Sequence, residues 1–240
     1  MVDDLFAVPR LARVYDALEA GRDDLAHYAA MVSEFGARQV LDVGCGTGEL
    51  ACLLAGAGVD VVGVDPAEAS LEVARGKEFA DRVRWIHGDA TTLPALQVDL
   101  AVMTGNVAQV FLTDEDWAAT LVGVRTALRP GGRFVFETRD PARRAWEEWT
   151  REHTHRVAPA GGDVVEHWGE LLSVELPFVT FRANYVFESD GAVYTSQSTL
   201  RFRERDEVEE SLTAAGFAVD DVREAPDRPG KEFVFVARRP

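Results

Sequence analysis

Val40-Leu41-Asp42-Val43-Gly44-Cys45-Gly46-Thr47-Gly48 is a short apolar run that breaks into glycines, and Glu49 then opens a helical stretch. A strand, loop and helix joined this way let the backbone turn tightly and approach a ligand, with helix N–H groups aimed at its polar atoms. The dinucleotide fingerprint G-x-G-x-x-G would place its third glycine at position 49, but that position is Glu49 and the third glycine is Gly48. An acidic side chain in the first helical turn is a poor neighbour for a pyrophosphate. A nicotinamide-dependent oxidoreductase is therefore the disfavoured reading.

Outward from this loop, strands and helices alternate. Residues 38–44, 60–65, 83–89, 98–104 and 133–138 read as strands. Residues 49–57 and 68–79 read as helices. So does the stretch behind Thr113-Asp114-Glu115-Asp116, which stops at Arg129-Pro130-Gly131-Gly132. Continuous apolar strands between amphipathic helices predict an α/β fold, a doubly wound and mostly parallel sheet covered on both faces. Residues 1–37 read as a helical cap, with Leu25, Tyr28, Ala29, Val32 and Phe35 at helical spacing behind Asp23 as N-cap. After Pro141 the period changes to two: Val179, Phe181, Ala183, Tyr185 and Phe187 alternate with polar residues, and Ser189-Asp190-Gly191 turns the chain back into 192–203. Residues 163–176 read as a further strand. Residues 142–203 are thus expected to be an antiparallel insertion in a domain formed by 38–141 and 204–240. In the latter segment, a helix over 206–215 precedes strands over 218–223 and 232–237.

The chain has 240 residues, 47% of them hydrophobic, and 25 Lys+Arg against 41 Asp+Glu, a formal charge of −16. It is composed as a folded protein whose field repels phosphates, so nucleic acid and anionic membrane surfaces are not expected partners. No run reaches the roughly 18–20 apolar residues of a membrane span. The start lacks the basic-then-apolar layout of a signal peptide, so a cytoplasmic protein is expected. Cys45 and Cys52 fall on a turn and a helix, too far apart to bridge. The only lysines are Lys77 and Lys231.

Asp42, Asp65 and Asp89 stand at or near the ends of three successive strands. Asp65 can accept hydrogen bonds from both hydroxyls of a ribose, and Asp89 with Ala90 can meet an adenine amino group. Such a set suits a nucleoside with a cationic, zwitterionic tail better than a diphosphate.

Here the sequence resembles the class I S-adenosylmethionine-dependent methyltransferases. The matching motifs are residues 40–48, Val64-Asp65, Gly88-Asp89-Ala90 and Leu128-Arg129-Pro130-Gly131-Gly132. The resemblance implies a Rossmann-like methyltransferase fold of seven strands, the last antiparallel and formed by 232–237. It implies S-adenosylmethionine as cofactor, held by Asp42, Gly44, Cys45, Gly46, Gly48, Asp65, Pro66, Asp89, Ala90 and Thr104. Beyond the core, the layout is similar to small-molecule N-methyltransferases, sugar N,N-dimethyltransferases among them, in which an antiparallel sheet inserted after the fifth strand covers the active site. That implies a small-molecule methyl acceptor, an amine before a hydroxyl, and allows for a homodimer through the inserted sheet. Tyr15 and Arg22 resemble positions that close over the cofactor in such enzymes, while Ser70 stands where many relatives have a methionine near the adenine. A cofactor-binding regulatory protein without turnover would keep the same loop and is the alternative.

The loop after the fourth strand should face the transferred methyl group. Its Asn106 and Gln109 can position the methionine part or an amine, and equally can cap the loop. Glu137, Arg139 and Asp140 leave the fifth strand at the same edge as candidate substrate contacts, although Arg139 and Asp140 equally suit an ion pair holding the insertion. His153 and His155 would share a face of a strand, but no carboxylate stands at a matching ligand spacing, so no metal is expected. Trp146, Trp149 and Trp168 are expected to pack the core or the insertion, and Tyr185 and Tyr194 to lie on its strands.

Overall fold

The computed structural model describes residues 2–19, 24–160 and 162–240. The chain opens with helices α1 (Asp4–Ala7), α2 (Pro9–Leu18) and α3 (Asp24–Glu34). Then follow β1 (Gln39–Val43), α4 (Glu49–Gly56), β2 (Asp60–Asp65), α5 (Glu68–Ala74), β3 (Val83–His87), β4 (Val98–Met103), α6 (Asp114–Ala127) and β5 (Leu128–Arg139). A short helix α7 (Arg151–Thr154) leads into β6 (Arg156–Ala160), β7 (Asp163–Glu175), β8 (Phe178–Phe187) and β9 (Val193–Arg201). Helix α8 (Arg205–Ala214), β10 (Ala218–Glu224) and β11 (Glu232–Arg238) complete the chain. Among the described residues, no helix is long and apolar enough to cross a membrane.

Seven strands form one sheet in the order β10-β11-β5-β4-β1-β2-β3, with β11 antiparallel to both neighbours. The side-chain alternation of each strand feeds two cores. Phe134, Phe136 and Phe235 face Trp117, Leu121 and Val124 of α6 and Leu212 of α8. Val135, Val102 and Val236 face Tyr28 and Val32 of α3 and Leu50 and Leu54 of α4. Both faces are thereby buried, as the near-continuous apolar strands require. Strand order reverses between β1 and β4, which lie side by side. In an open α/β sheet the ligand crevice lies beyond the carboxyl ends at such a reversal. It places the loops after β1 and β4 together.

The second sheet is antiparallel, in the order β6-β7-β8-β9. Val165, Ala183, Tyr185 and Phe187 on one face pack on Leu11, Val14 and Leu18 of α2. Trp146 is 2% exposed and holds the other end against Val179, Leu200 and Phe202. The N-terminal segment ties this sheet down: the Leu5 N–H donates to Ser196 Oγ at 2.9 Å, and Arg10 pairs with Asp190 at 2.7 Å.

Several sequence expectations shift in detail. Strand β6 carries Pro159, which hides its extended character and fits an edge strand, where a ladder donor is dispensable. Helix α5 ends five residues before Phe79, because Gly76 follows it and Phe79 adopts a φ of 64°. The Pro130-Gly131-Gly132 turn lies inside β5 as a register shift opposite Val98 and Leu100, with the Gly131 N–H donating to Arg239 O. His153 and His155 do not share a strand face, since the first lies in α7 and the second is its C-cap, bonded to Glu166.

Candidate active site

Two glycines of the first loop show what the backbone needs there. At Gly44 (φ 71°) a Cβ would sit 2.7 Å from a Val107 methyl, so the loops after β1 and β4 close on each other only without a side chain. At Gly46 (φ 52°) no atom lies within 4 Å of the Cβ position, which leaves the loop open on its ligand side. Asp65, at the end of β2, fixes this shape. Its Oδ2 accepts from the Gly46 N–H at 2.8 Å and its Oδ1 from the Ala67 N–H at 2.7 Å. Each carboxylate oxygen keeps a lone pair for a hydroxyl. Burial lifts the Asp65 carboxyl above its ordinary range, opposed by those two backbone donors.

The other candidates differ in setting. Asp42 lies beneath the loop at 1% exposure. Cys45 is buried, and desolvation with the Asp42 and Asp65 charges pushes its thiol well up, so it is no nucleophile. Asp89 is exposed and accepts from the Thr91 N–H and hydroxyl at 2.8 and 2.6 Å, while Ala90 is buried. Pro66 is exposed at the β2 end, Thr104 is buried after β4, and the Ser70 hydroxyl donates to Phe6 O. Arg22, like the N-cap Asp23, lies outside the described residues.

Helix α2 straps the loop from above. Thr47 Oγ1 donates to Asp16 at 2.5 Å, and Lys77 bridges Asp16 and Glu49. Tyr15, half-buried on the same helix, meets Phe6 edge-on at 5.5 Å. Lys77 thus neutralises the Glu49 charge that disfavours an anion at this helix end. Removing the bridge with Lys77→Ala should weaken S-adenosylhomocysteine binding about fivefold, since partly exposed pairs are worth about 1 kcal/mol. Calorimetry at low and high salt reads this, and the effect should shrink as salt rises. Unchanged affinity at low salt would deny the strap a part in holding the cofactor.

A family model for the methyltransferase domain matches residues 40–132, from the first strand to the turn inside the fifth. The chain is a class I S-adenosylmethionine-dependent methyltransferase. It is 26% identical over 218 residues to a methyltransferase homologue of Geobacillus sp. (strain WCH70), with 85% of each chain covered. In structure it is similar to the CcbJ methyltransferase from Streptomyces caelestis, with a TM-score of 0.80 at 22% identity over 99% of each chain. It is also similar to the sugar N-methyltransferase KedS8 from Streptoalloteichus sp ATCC 53650, with a TM-score of 0.72 at 20% identity, covering 91% of this chain and 87% of the other. At these identities the structural likenesses establish the fold. S-adenosylmethionine is the cofactor, and the open face at Gly46 with the Asp65 carboxylate fits its ribose.

Beyond the β4 loop that closes on Gly44, the methyltransferase has a polar cavity of about 110 Å³ at the ends of β4 and β5 and the start of β11. Its wall carries five carboxylates, Glu19, Asp24, Glu137, Asp227 and Glu232, against the guanidinium groups of Arg139 and Arg228. Glu137, 4% exposed, accepts from the Asn106 N–H at 2.6 Å and from the Tyr28 hydroxyl. Asn106 holds a φ of 60° there and its Nδ2 donates to Glu232 at 3.3 Å. Of the two polar candidates on the β4 loop, Asn106 lines the cavity, whereas Gln109 stands behind Arg139 and accepts from its Nη1 at 3.0 Å. Burial pulls the Arg139 guanidinium below its usual range, with Glu232 opposing.

Asp140 turns away to cap the following turn, accepting from the Ala142 N–H at 2.9 Å. Tyr185 is buried and stacked on His167 at 4.7 Å, and desolvation lowers that imidazole so that it stays neutral. Among the described residues, no group of three His, Cys, Asp or Glu side chains could hold a metal. Tyr28, Glu19, Glu232 and Arg228 went unremarked as site residues. Tyr28 carries an apolar helical pattern whose ring suits the core, and only its hydroxyl reaches Glu137.

Proposed function

We propose that the enzyme methylates a small molecule at an amine nitrogen, with the acceptor seated over the ends of β4, β5 and β11. The observation that carries this reading is the acidic cavity, with five carboxylates and two guanidinium groups next to the cofactor loop. Such a wall concentrates an ammonium ion by its field and offers groups to take its proton, as an amine must lose one to attack. An alcohol or phenol, neutral on arrival, gains no attraction from that charge. The sugar N-methyltransferase KedS8 shares the fold and supports the same choice.

When bound, S-adenosylmethionine supplies the methyl group on a sulfonium, so the chain's task is alignment and exclusion of water. In this reading Asp65 and the glycine loop hold the nucleoside, and Asn106 at the β4 end sets the acceptor in line. Tyr15, Glu19, Asp24 and Tyr28 of the N-terminal segment close the acceptor cavity, and Trp149 of the insertion stands against Arg139.

Transfer of labelled methyl groups to matched sets of small amines, alcohols and phenols tests the choice. Amines should be methylated with kcat/KM at least tenfold above their hydroxyl counterparts. Preference for the hydroxyl members would overturn it.

A further inference from the structure

Resting on the amine reading, we propose that the acceptor carries a carboxylate beside its amine, and that Arg139 receives it. Arg139 ends β5 on the cavity wall with its side chain 21% exposed. A guanidinium has five N–H donors in a planar fork and keeps its charge at any working pH. Among the described residues, its hydrogen bond goes to a neutral partner, Gln109 Oε1 at 3.0 Å. The carboxylate paired with it, Glu232, lies 3.9 Å from Nε, beyond hydrogen-bond reach. The same Glu232 oxygen is engaged by Arg228 at 2.7 Å and by Asn106 at 3.3 Å. The Trp149 ring, 5.5 Å from the guanidinium carbon, holds the fork in place. A charge set this deep with one neutral hydrogen-bond partner is costly unless a ligand completes it.

The sheet order says whose carboxylate it is. Asp65 lies on β2, to one side of β1, whereas Arg139 lies on β5, to the far side of β4. The nucleoside thus occupies one side of the strand-order reversal and Arg139 faces the other, where the acceptor sits. A simple amine adds no hydrogen bond to the Arg139 fork, and a simple acid meets five carboxylates of its own sign. A zwitterion satisfies both. The cavity, of about 110 Å³, has room for a small polar head group.

The test is calorimetry on protein saturated with S-adenosylhomocysteine, using alanine, ethylamine and lactate, then phenylalanine, phenethylamine and phenyllactate. Each amino acid should bind at least tenfold more tightly than its decarboxylated amine. Arg139→Gln should erase that difference and Arg139→Lys keep part of it, with S-adenosylhomocysteine affinity and melting temperature unchanged in both. Equal binding of amine and amino acid, or no binding by either set, would overturn the proposal. So would an Arg139→Gln protein of unchanged melting temperature that loses S-adenosylhomocysteine instead, because the carboxylate would then be the cofactor's. Lactate and phenyllactate binding as well as the amino acids would leave the Arg139 contact standing and overturn the amine reading.

Discussion

Replacing Asp65 with alanine should weaken S-adenosylhomocysteine binding by at least a hundredfold. Two losses combine. Hydrogen bonds to a charged acceptor contribute roughly 1.5–3 kcal/mol each, and the ribose has two hydroxyls to place on this carboxylate. The Gly46 N–H also loses the acceptor that holds the glycine loop in its open shape. A total of about 3–4 kcal/mol corresponds to roughly a hundredfold to a thousandfold in dissociation constant. Asp65→Asn retains one oxygen and the shape of the side chain, so its loss should be nearer tenfold. Titration calorimetry measures both variants, and the ligand-induced rise in melting temperature should vanish in Asp65→Ala. A loss below fivefold in a folded Asp65→Ala protein would mean that the nucleoside lies elsewhere.

The second large effect is on stability and turnover together, at Glu137. This carboxylate is buried and joins Tyr28 of α3 to Asn106 of the β4 loop. Glu137→Ala strands a hydroxyl and an N–H at the cavity wall, a cost of about 2–4 kcal/mol. In a chain of this size that lowers the melting temperature by roughly 6–12 °C. With Asn106 no longer fixed, methyl transfer should fall at least tenfold, while S-adenosylhomocysteine affinity changes little because Asp65 and the glycine loop are untouched. Glu137→Gln keeps an oxygen for the Asn106 N–H and should recover most of the stability. A Glu137→Ala protein with wild-type melting temperature and wild-type rate would remove this residue from the site.

The parts of this enzyme that were legible in the sequence are those whose physics is local. A glycine demanded by a positive φ, an acid closing a strand and an apolar run bounded by turns each announce themselves within a few residues. The glycine loop from Gly44 to Gly48 and the Asp65 carboxylate that shapes it, proposed to hold the cofactor, are of that kind. The acidic cavity proposed for the acceptor is not. Its walls come from α3, the β4 and β5 ends, the turn at Ala225 to Arg228 and the start of β11, which only the sheet order brings together. Glu232 reads in sequence as a strand's first residue, and its meeting with Asn106 depends on β11 pairing with β5. The Asp16–Lys77–Glu49 bridge likewise spans three elements. Strand β6 escaped because Pro159 masks its period, and the edge position that tolerates a proline is set by tertiary structure.

In the proposed arrangement the cofactor nucleoside lies over β1 to β3, and the reacting centre turns toward the acidic cavity at β4, β5 and β11. A crystal structure with S-adenosylhomocysteine tests it most directly. The ribose hydroxyls should lie on Asp65 and the sulfur beside Gly105 and Asn106, facing the cavity. A nucleoside seated over β4 and β5, or a sulfur directed away from Glu137 and Arg139, would contradict it.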